Sequence, residues 1–264
     1  MIGASGGGYP AGAAGVVLAA VWGLVCGSFL GAVTWRLPRG QSLWWPPSRC
    51  PSCGRRLRPL DLVPLLSFLA LRGRCRTCGR PVGWRYPLTE ALTAALWAAV
   101  AVVAHGRIPA LAGGWAVASL AVAAGVTDLE TRRIPDALTA AGLVVWAVLQ
   151  VAAPWHGVGG ALAGAALLGG VPLLAAVLWR GAMGWGDVKL GAVLGLFLGW
   201  RLAFVGLELA VLAGAAAGAG LVLLRRRRLG EGIPFGPWLG GGAVAAVLGG
   251  MPVVAWYAHW AGLR

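Results

Sequence analysis

Apolar residues fall in blocks along this chain instead of alternating with polar ones at a helical or strand period. The blocks recur at lengths near the roughly 20 residues that a helix needs to cross about 30 Å of hydrocarbon. They predict eight spanning helices, over about 12–34, 88–104, 110–127, 137–153, 159–179, 188–200, 203–224 and 238–258. The first run is too long for a cleavable signal peptide and lacks a basic start, so it reads as a spanning helix. The expected fold is therefore an all-α polytopic membrane protein.

Composition supports this, with 59% hydrophobic and only 11% charged residues. The net charge of +14 invites comparison with nucleic-acid binders, but the positions of the charges argue for topology. With the N-terminus outside, the connections after the first, third, fifth and seventh runs face the cytoplasm. They carry nineteen of the twenty-two basic residues and leave Arg107, Arg201 and Arg264 on the other side. Nothing resembles a groove-reading module, so membrane lipid and not nucleic acid is the expected surroundings.

Three regions follow: residues 1–35 with the first spanning helix, a polar insertion over 36–87, and a spanning core over 88–264. The insertion is rich in Arg and Pro and holds four of the five cysteines. Cys50 and Cys53 form one C-x-x-C, Cys75 and Cys78 another, each followed by Gly. Two such knuckles about twenty residues apart supply the four thiolates that structural zinc prefers. An iron–sulfur cluster or unmetallated thiols remain alternatives, whereas disulfides seldom persist on a reducing face. Four protein ligands leave no position for water, so such a zinc is structural and supplies folding energy to a segment with little core. Cys26 reads as a small apolar packing residue.

Eight acidic residues are present, and two of those at the edges of lipid-spanning runs, Asp128 and Asp187, stand in similar settings. Asp128 ends the third run in "VTDLETRRIPD", and Asp187 opens the sixth in "AMGWGDVKL". Both fall at cytoplasmic helix ends, where two carboxyls sharing a small site would share one proton and could activate water against a peptide carbonyl. Gly184 and Gly186 would let the backbone of an extended substrate approach Asp187. Capping of helix ends, or a proton or ion relay in a transporter, are the competing readings of the same two residues. Asp136 reads as an N-cap of the fourth helix, and Glu130 as a solvated charge beside Arg132 or Arg133. Lys189, the only lysine, and Glu90, a substrate contact or a helix-start charge, complete the candidate binding residues.

Several stretches then converge. "GSFLGAVTWRLP" (Gly27 to Pro38), "SRCPSCG" (Ser48 to Gly54), "PLLSFLALRGRCRTCG" (Pro64 to Gly79), "RYPLTE" (Arg85 to Glu90), "DLETRRIPD" (Asp128 to Asp136), "AMGWGDVKL" (Ala182 to Leu190) and "IPFGPWLGGG" (Ile233 to Gly242) occur in this order. Together the sequence resembles the bacterial prepilin peptidases, membrane aspartic peptidases with a G-x-G-D motif. The resemblance implies a multi-pass protein of the bacterial plasma membrane that cuts the leader from prepilins and pseudopilins at the cytoplasmic face. It carries the catalytic pair onto Asp128 and Asp187. It also implies N-methylation of the new amino terminus with S-adenosylmethionine, an activity associated with the N-terminal half. Where relatives often read "GSFLNVV" this chain has Gly31, and where they often read "DNIPLLS" it has Leu62. Each change removes an amide side chain, so a peptidase without the methyltransferase is the alternative within the family.

Overall fold

The structure is a computed structural model that describes residues 12–154, 156–179, 183–224 and 232–260. Its helices are α1 (Ala13–Arg36), α2 (Leu66–Ala70), α3 (Arg85–Val103), α4 (Ile108–Thr131), α5 (Asp136–Ala152), α6 (Val158–Leu178), α7 (Trp185–Leu223) and α8 (Gly236–Trp260). Six of them, α1, α3, α4, α6, α7 and α8, are long and apolar enough to cross a membrane, and α5 is a shorter apolar helix of 17 residues. Among the described residues there is no strand beyond two isolated bridges in the insertion.

The sixth and seventh apolar runs, expected as separate helices, form the single stretch α7. It is broken at Gly199, whose φ of 67° and ψ of 167° are not helical. The chain reverses there. Before the break, Gly191 and Gly195 lie backbone to backbone against Leu168 and Gly164 of α6. After it, Gly206 packs on Gly242 of α8, and Gly214 on Trp238. At the far end of α8, Gly250 meets Leu202, three residues past the break. The second half of α7 thus runs antiparallel to α8 and returns to the face from which α7 started. Counting α7 as two and including the shorter α5 gives eight apolar helical segments among the described residues.

Helices approach this closely because glycine removes the side chain between them. A Cβ at Gly23 or Gly27 of α1 would lie 2.7 Å from the backbone of Ala94 or Glu90 in α3. Lipid cannot hydrogen-bond, so buried hydroxyls turn back on their own helix. Thr93 donates to Thr89 O at 2.7 Å and Thr127 to Ala123 O at 2.9 Å. The lipid-facing sides stay apolar, as Val17, Leu18, Val21 and Trp22 of α1 illustrate.

All the elements that carry the predicted chemistry gather on one face. Pro237, at the start of α8, packs on Gly125 near the end of α4, and Gly186, at the start of α7, meets Ile134 just beyond α4. Thr34, near the end of α1, meets Arg85 at the start of α3. The insertion, the α4–α5 turn and the starts of α7 and α8 therefore share the end of the bundle that bears most of the arginines.

Candidate active site and metal centre

Asp128 lies in the last turn of α4 and is buried, 6% exposed. Its Oδ2 accepts a hydrogen bond of 2.9 Å from the backbone N–H of Gly236, the first residue of α8. Asp187 lies in the first turn of α7, where its N–H donates to Gly184 O at 3.1 Å. Gly186, next to Asp187, and Gly236, bonded to Asp128, both pack on Ile134, which brings the two aspartates to one end of the bundle. Asp187 Oδ1 is buried and has no hydrogen-bond partner, an oxygen free to accept from a ligand or water.

Ile134 holds the two ends together. A Cβ on Gly186 would stand 3.0 Å from Ile134 Cβ, and one on Gly236 would stand 3.2 Å from Ile134 Cδ1 and 2.9 Å from Asp128 Oδ2. Gly184 also faces the site, since a Cβ there would lie 3.3 Å from Asp187 Oδ2. Beside Ile134 a cleft of about 520 Å³ opens between Leu37 and Pro38 of the α1 end and Thr131, Arg133 and Asp136 of the α4–α5 turn. Asp136 and Ile134 line it, and Asp128 and Asp187 do not.

The other acidic residues depart from the sequence expectation. Asp136 does not cap α5: Pro135 occupies the cap position, and the Asp136 carboxylate instead pairs with Lys189 Nζ at 2.8 Å. Lys189, expected to contact substrate or cofactor, is thus held at the start of α5 next to the cleft. Glu130 pairs not with Arg132 or Arg133 but with Arg85 Nε at 2.7 Å, and Arg85 also donates to Thr34 Oγ1 at 2.6 Å. That ion pair joins α1, α3 and α4 two residues beyond Asp128. Glu90 is not in the first turn of α3. It is buried, 8% exposed, at the α1–α3 seam and accepts the N–H of Leu65 at 2.8 Å. Gly236 was missed by sequence reasoning because its contribution is a backbone donor, which has no side-chain signature.

The four insertion cysteines converge. Their sulfurs all lie within 4.8 Å of one another, with Cys50 Sγ and Cys78 Sγ 3.9 Å apart. Four thiolates at the usual zinc–sulfur distance of about 2.3 Å stand about 3.8 Å apart, so the donor set fits one tetrahedral ion. The knuckles repeat each other. Cys50 N–H bonds Arg55 O at 2.9 Å and Gly54 N–H bonds Cys50 O at 2.9 Å; Cys75 N–H bonds Arg80 O at 2.8 Å and Gly79 N–H bonds Cys75 O at 2.9 Å. Gly54 and Gly79 each take a φ near +70°, at 69° and 68°, which glycine adopts without strain. Amides of Cys78 and Thr77 aimed at the Cys75 sulfur hold its pKa down at about 6. Cys78 receives an amide bond from Arg80, yet burial and the neighbouring thiols push it up to about 11. Four thiolates this close need a cation to ionise together.

Asp61 locks the two knuckles. Its carboxylate pairs with Arg55 from the first and, at 2.8 Å, with Arg76 Nε from the second, and its side chain is only 6% exposed.

Comparison with known proteins places both halves of the chain in families. Residues 21–104 match the Bacterial Peptidase A24 N-terminal domain, and residues 115–219 match the Type IV leader peptidase family. The chain is 35% identical over 269 residues to the prepilin leader peptidase/N-methyltransferase of Burkholderia pseudomallei (strain 1026b), covering 90% of this chain and 86% of that protein.

The chain belongs to the type IV leader peptidase family.

Other members are equally similar. The prepilin leader peptidase/N-methyltransferase of Aeromonas hydrophila is 35% identical, with 90% of this chain and 91% of that protein covered. The one from Bacillus subtilis (strain 168) is 34% identical, with 90% and 95% covered. No solved structure matches the chain.

Proposed function

We propose that the chain is a membrane aspartic endopeptidase that removes the leader of type IV prepilins and pseudopilins, with Asp128 and Asp187 as its catalytic pair. The observation that carries this reading is the packing of the two aspartate-bearing helix ends on one side chain, Ile134, with Asp128 bonded to Gly236 N–H and Asp187 keeping a buried oxygen without a partner among the described residues.

The chemistry needs one proton shared between them. The ionised carboxylate removes a proton from water, and the water oxygen bonds to the scissile carbonyl carbon. The protonated partner donates to the carbonyl oxygen. Collapse of the tetrahedral species breaks the C–N bond as the departing amine takes a proton from one carboxyl and a hydroxyl of the tetrahedral carbon returns one to the other, which restores the shared proton. Gly184 and Gly186 keep side chains off the approach to Asp187, which suits an extended substrate backbone.

The shared face is cytoplasmic on this reading, because the excess of arginine there follows the positive-inside rule, and the membrane is the bacterial plasma membrane. The cysteine set would hold zinc as a structural ion that fixes the insertion, with no open position for a reacting water. A second activity, N-methylation of the new amino terminus with S-adenosylmethionine, is favoured by the names of the relatives and by the N-terminal match over 21–104.

The test is cleavage of a prepilin by membranes holding the wild type, Asp128→Asn or Asp187→Asn at matched levels, with mass spectrometry of the product. Cleavage by the wild type and by neither variant is expected, with a rate loss of at least about 1,000-fold. Equal cleavage by all three would overturn the assignment. A methyl-sized increment on the product would establish the second activity.

A further inference from the structure

The insertion presents to its surroundings a combination that the peptidase reading does not use. Nine arginines lie between α1 and α3, and one acidic residue, Asp61, accompanies them. Asp61 is consumed by Arg55 and Arg76. The other seven, Arg39, Arg49, Arg56, Arg58, Arg72, Arg74 and Arg80, are exposed and have no carboxylate partner among the described residues. Large apolar side chains are exposed in the same segment: Trp84 at 70%, Leu66 at 66% and Leu69 at 67%.

The depth of α2 explains both. Leu65 takes a φ of 56° and gives its N–H to Glu90, a carboxylate five residues inside α3. At 1.5 Å per residue, that point lies about 7.5 Å along the spanning helix from its start. The chain entering α2 is therefore held beside the outermost turns of a membrane-crossing helix, at the level of lipid headgroups. Leu66 and Leu69, three residues apart, share one face of α2. Phe68 stacks obliquely on Trp84, with ring centroids 5.1 Å apart, so α2 and the residue just before α3 form one unit.

We propose that α2 and Trp84 are an interfacial foot that inserts Leu66, Leu69 and the indole into the membrane surface, and that the unpaired arginines of the insertion bind the headgroups of anionic phospholipids. Aromatic and aliphatic side chains at headgroup depth, flanked by basic residues, are the combination that anionic leaflets attract. Both ends of the insertion continue into spanning helices, so the surface is always within reach. This inference is independent of the peptidase assignment.

The test places a photoreactive benzoylphenylalanine at Leu66 or Leu69 in the full zinc-loaded chain, with lipid-facing Leu212 as the control position. The chain is reconstituted in phosphatidylcholine vesicles containing a minority of phosphatidylglycerol, irradiated, and its adducts weighed by mass spectrometry. Lipid adducts are expected at all three positions. At Leu66 and Leu69, phosphatidylglycerol should exceed its mole fraction by up to about fivefold and fall back toward that fraction in molar salt. Absence of lipid adducts at both α2 positions while Leu212 retains them would overturn the foot. Adducts in simple proportion to vesicle composition would overturn anionic recognition. In native membranes, a protein adduct at Leu66 or Leu69 replacing the lipid adduct would overturn the proposal in favour of a docking partner.

Discussion

Gly236 and Asp128 stand 108 positions apart in sequence and are joined by a 2.9 Å hydrogen bond from backbone N–H to carboxylate. This bond fixes which way one carboxylate of the pair faces. A methyl group at Gly236 would stand 2.9 Å from Asp128 Oδ2 and 3.1 Å from its Cβ, both inside normal contact distance. Rotation of the aspartate relieves the Oδ2 contact and breaks the bond, while the Cβ contact needs a shift of only about a few tenths of an ångström between α8 and α4. Gly236→Ala should therefore lower prepilin cleavage by about 10- to 100-fold while the protein still accumulates and melts within a few degrees of the wild type. Equal losses of activity and folded protein would mean that the α4–α8 seam, not the carboxylate, responds.

The break in α7 gives a second expectation. Gly199 combines a φ of 67° with a ψ of 167°, a region open almost only to glycine. A Cβ there would meet nothing closer than His156 Cδ2 at 3.5 Å, so the penalty of Gly199→Ala is backbone strain alone. About 1–3 kcal/mol of destabilisation is expected. Gly170→Ala in α6, where a Cβ meets nothing within 4 Å, is the control and should be neutral or slightly stabilising. Thermal melts of both variants in detergent check the difference, and indistinguishable melts would argue against a fixed reversal at this residue.

Much of the architecture was legible because lipid imposes a simple rule: a crossing segment must be helical, and almost wholly apolar. Hydropathy placed α1, α4 and α6 within a few residues of their observed ends, and it put the gap between the sixth and seventh runs beside Gly199. The cysteine knuckles were legible because metal ligation demands a local spacing. What escaped was long-range polar pairing. Nothing near Glu130 indicates Arg85, and nothing near Asp136 indicates Lys189, since these partners meet only when the bundle closes. Asp136 looked like a cap because caps favour aspartate, but Pro135 holds that position and frees the carboxylate. The small helix α2 was invisible to a hydropathy argument because five residues cannot announce a period.

The pair between Arg85 and Glu130 ties α3 to α4 beside the candidate catalytic end. Side-chain exposures of 14% and 31% leave both charges partly desolvated, so removing one strands the other. Arg85→Gln and Glu130→Gln should each destabilise the protein by about 1–3 kcal/mol. The double variant should cost clearly less than their sum, because no lone charge remains. A double-mutant cycle measured by thermal or chemical denaturation checks this. Additive losses would show that the two side chains act separately.

Asp61 offers a pH signature in the insertion, outside the spanning helices. Hydrogen bonding from Arg76 leads the causes, followed by the Arg58 amide and the charge of Arg55, that hold its carboxyl below the ordinary 3.8. A carboxyl with a depressed folded pKa contributes stability that is fully present above its unfolded value. That contribution is lost as pH falls through the lowered folded value. Solvent reaches Arg76, which is 46% exposed, so the clamp is worth on the order of 1 kcal/mol. Asp61→Asn removes it at every pH. Loss of zinc from the insertion to a chelator should then run up to about fivefold faster in the variant from neutral pH down to about 4. The gap should close only in stronger acid, where the wild-type carboxyl is protonated too. Thiolate protonation releases metal from both proteins alike and cannot produce the difference. Closure of the gap near neutral pH would place the knuckle coupling in some group other than Asp61.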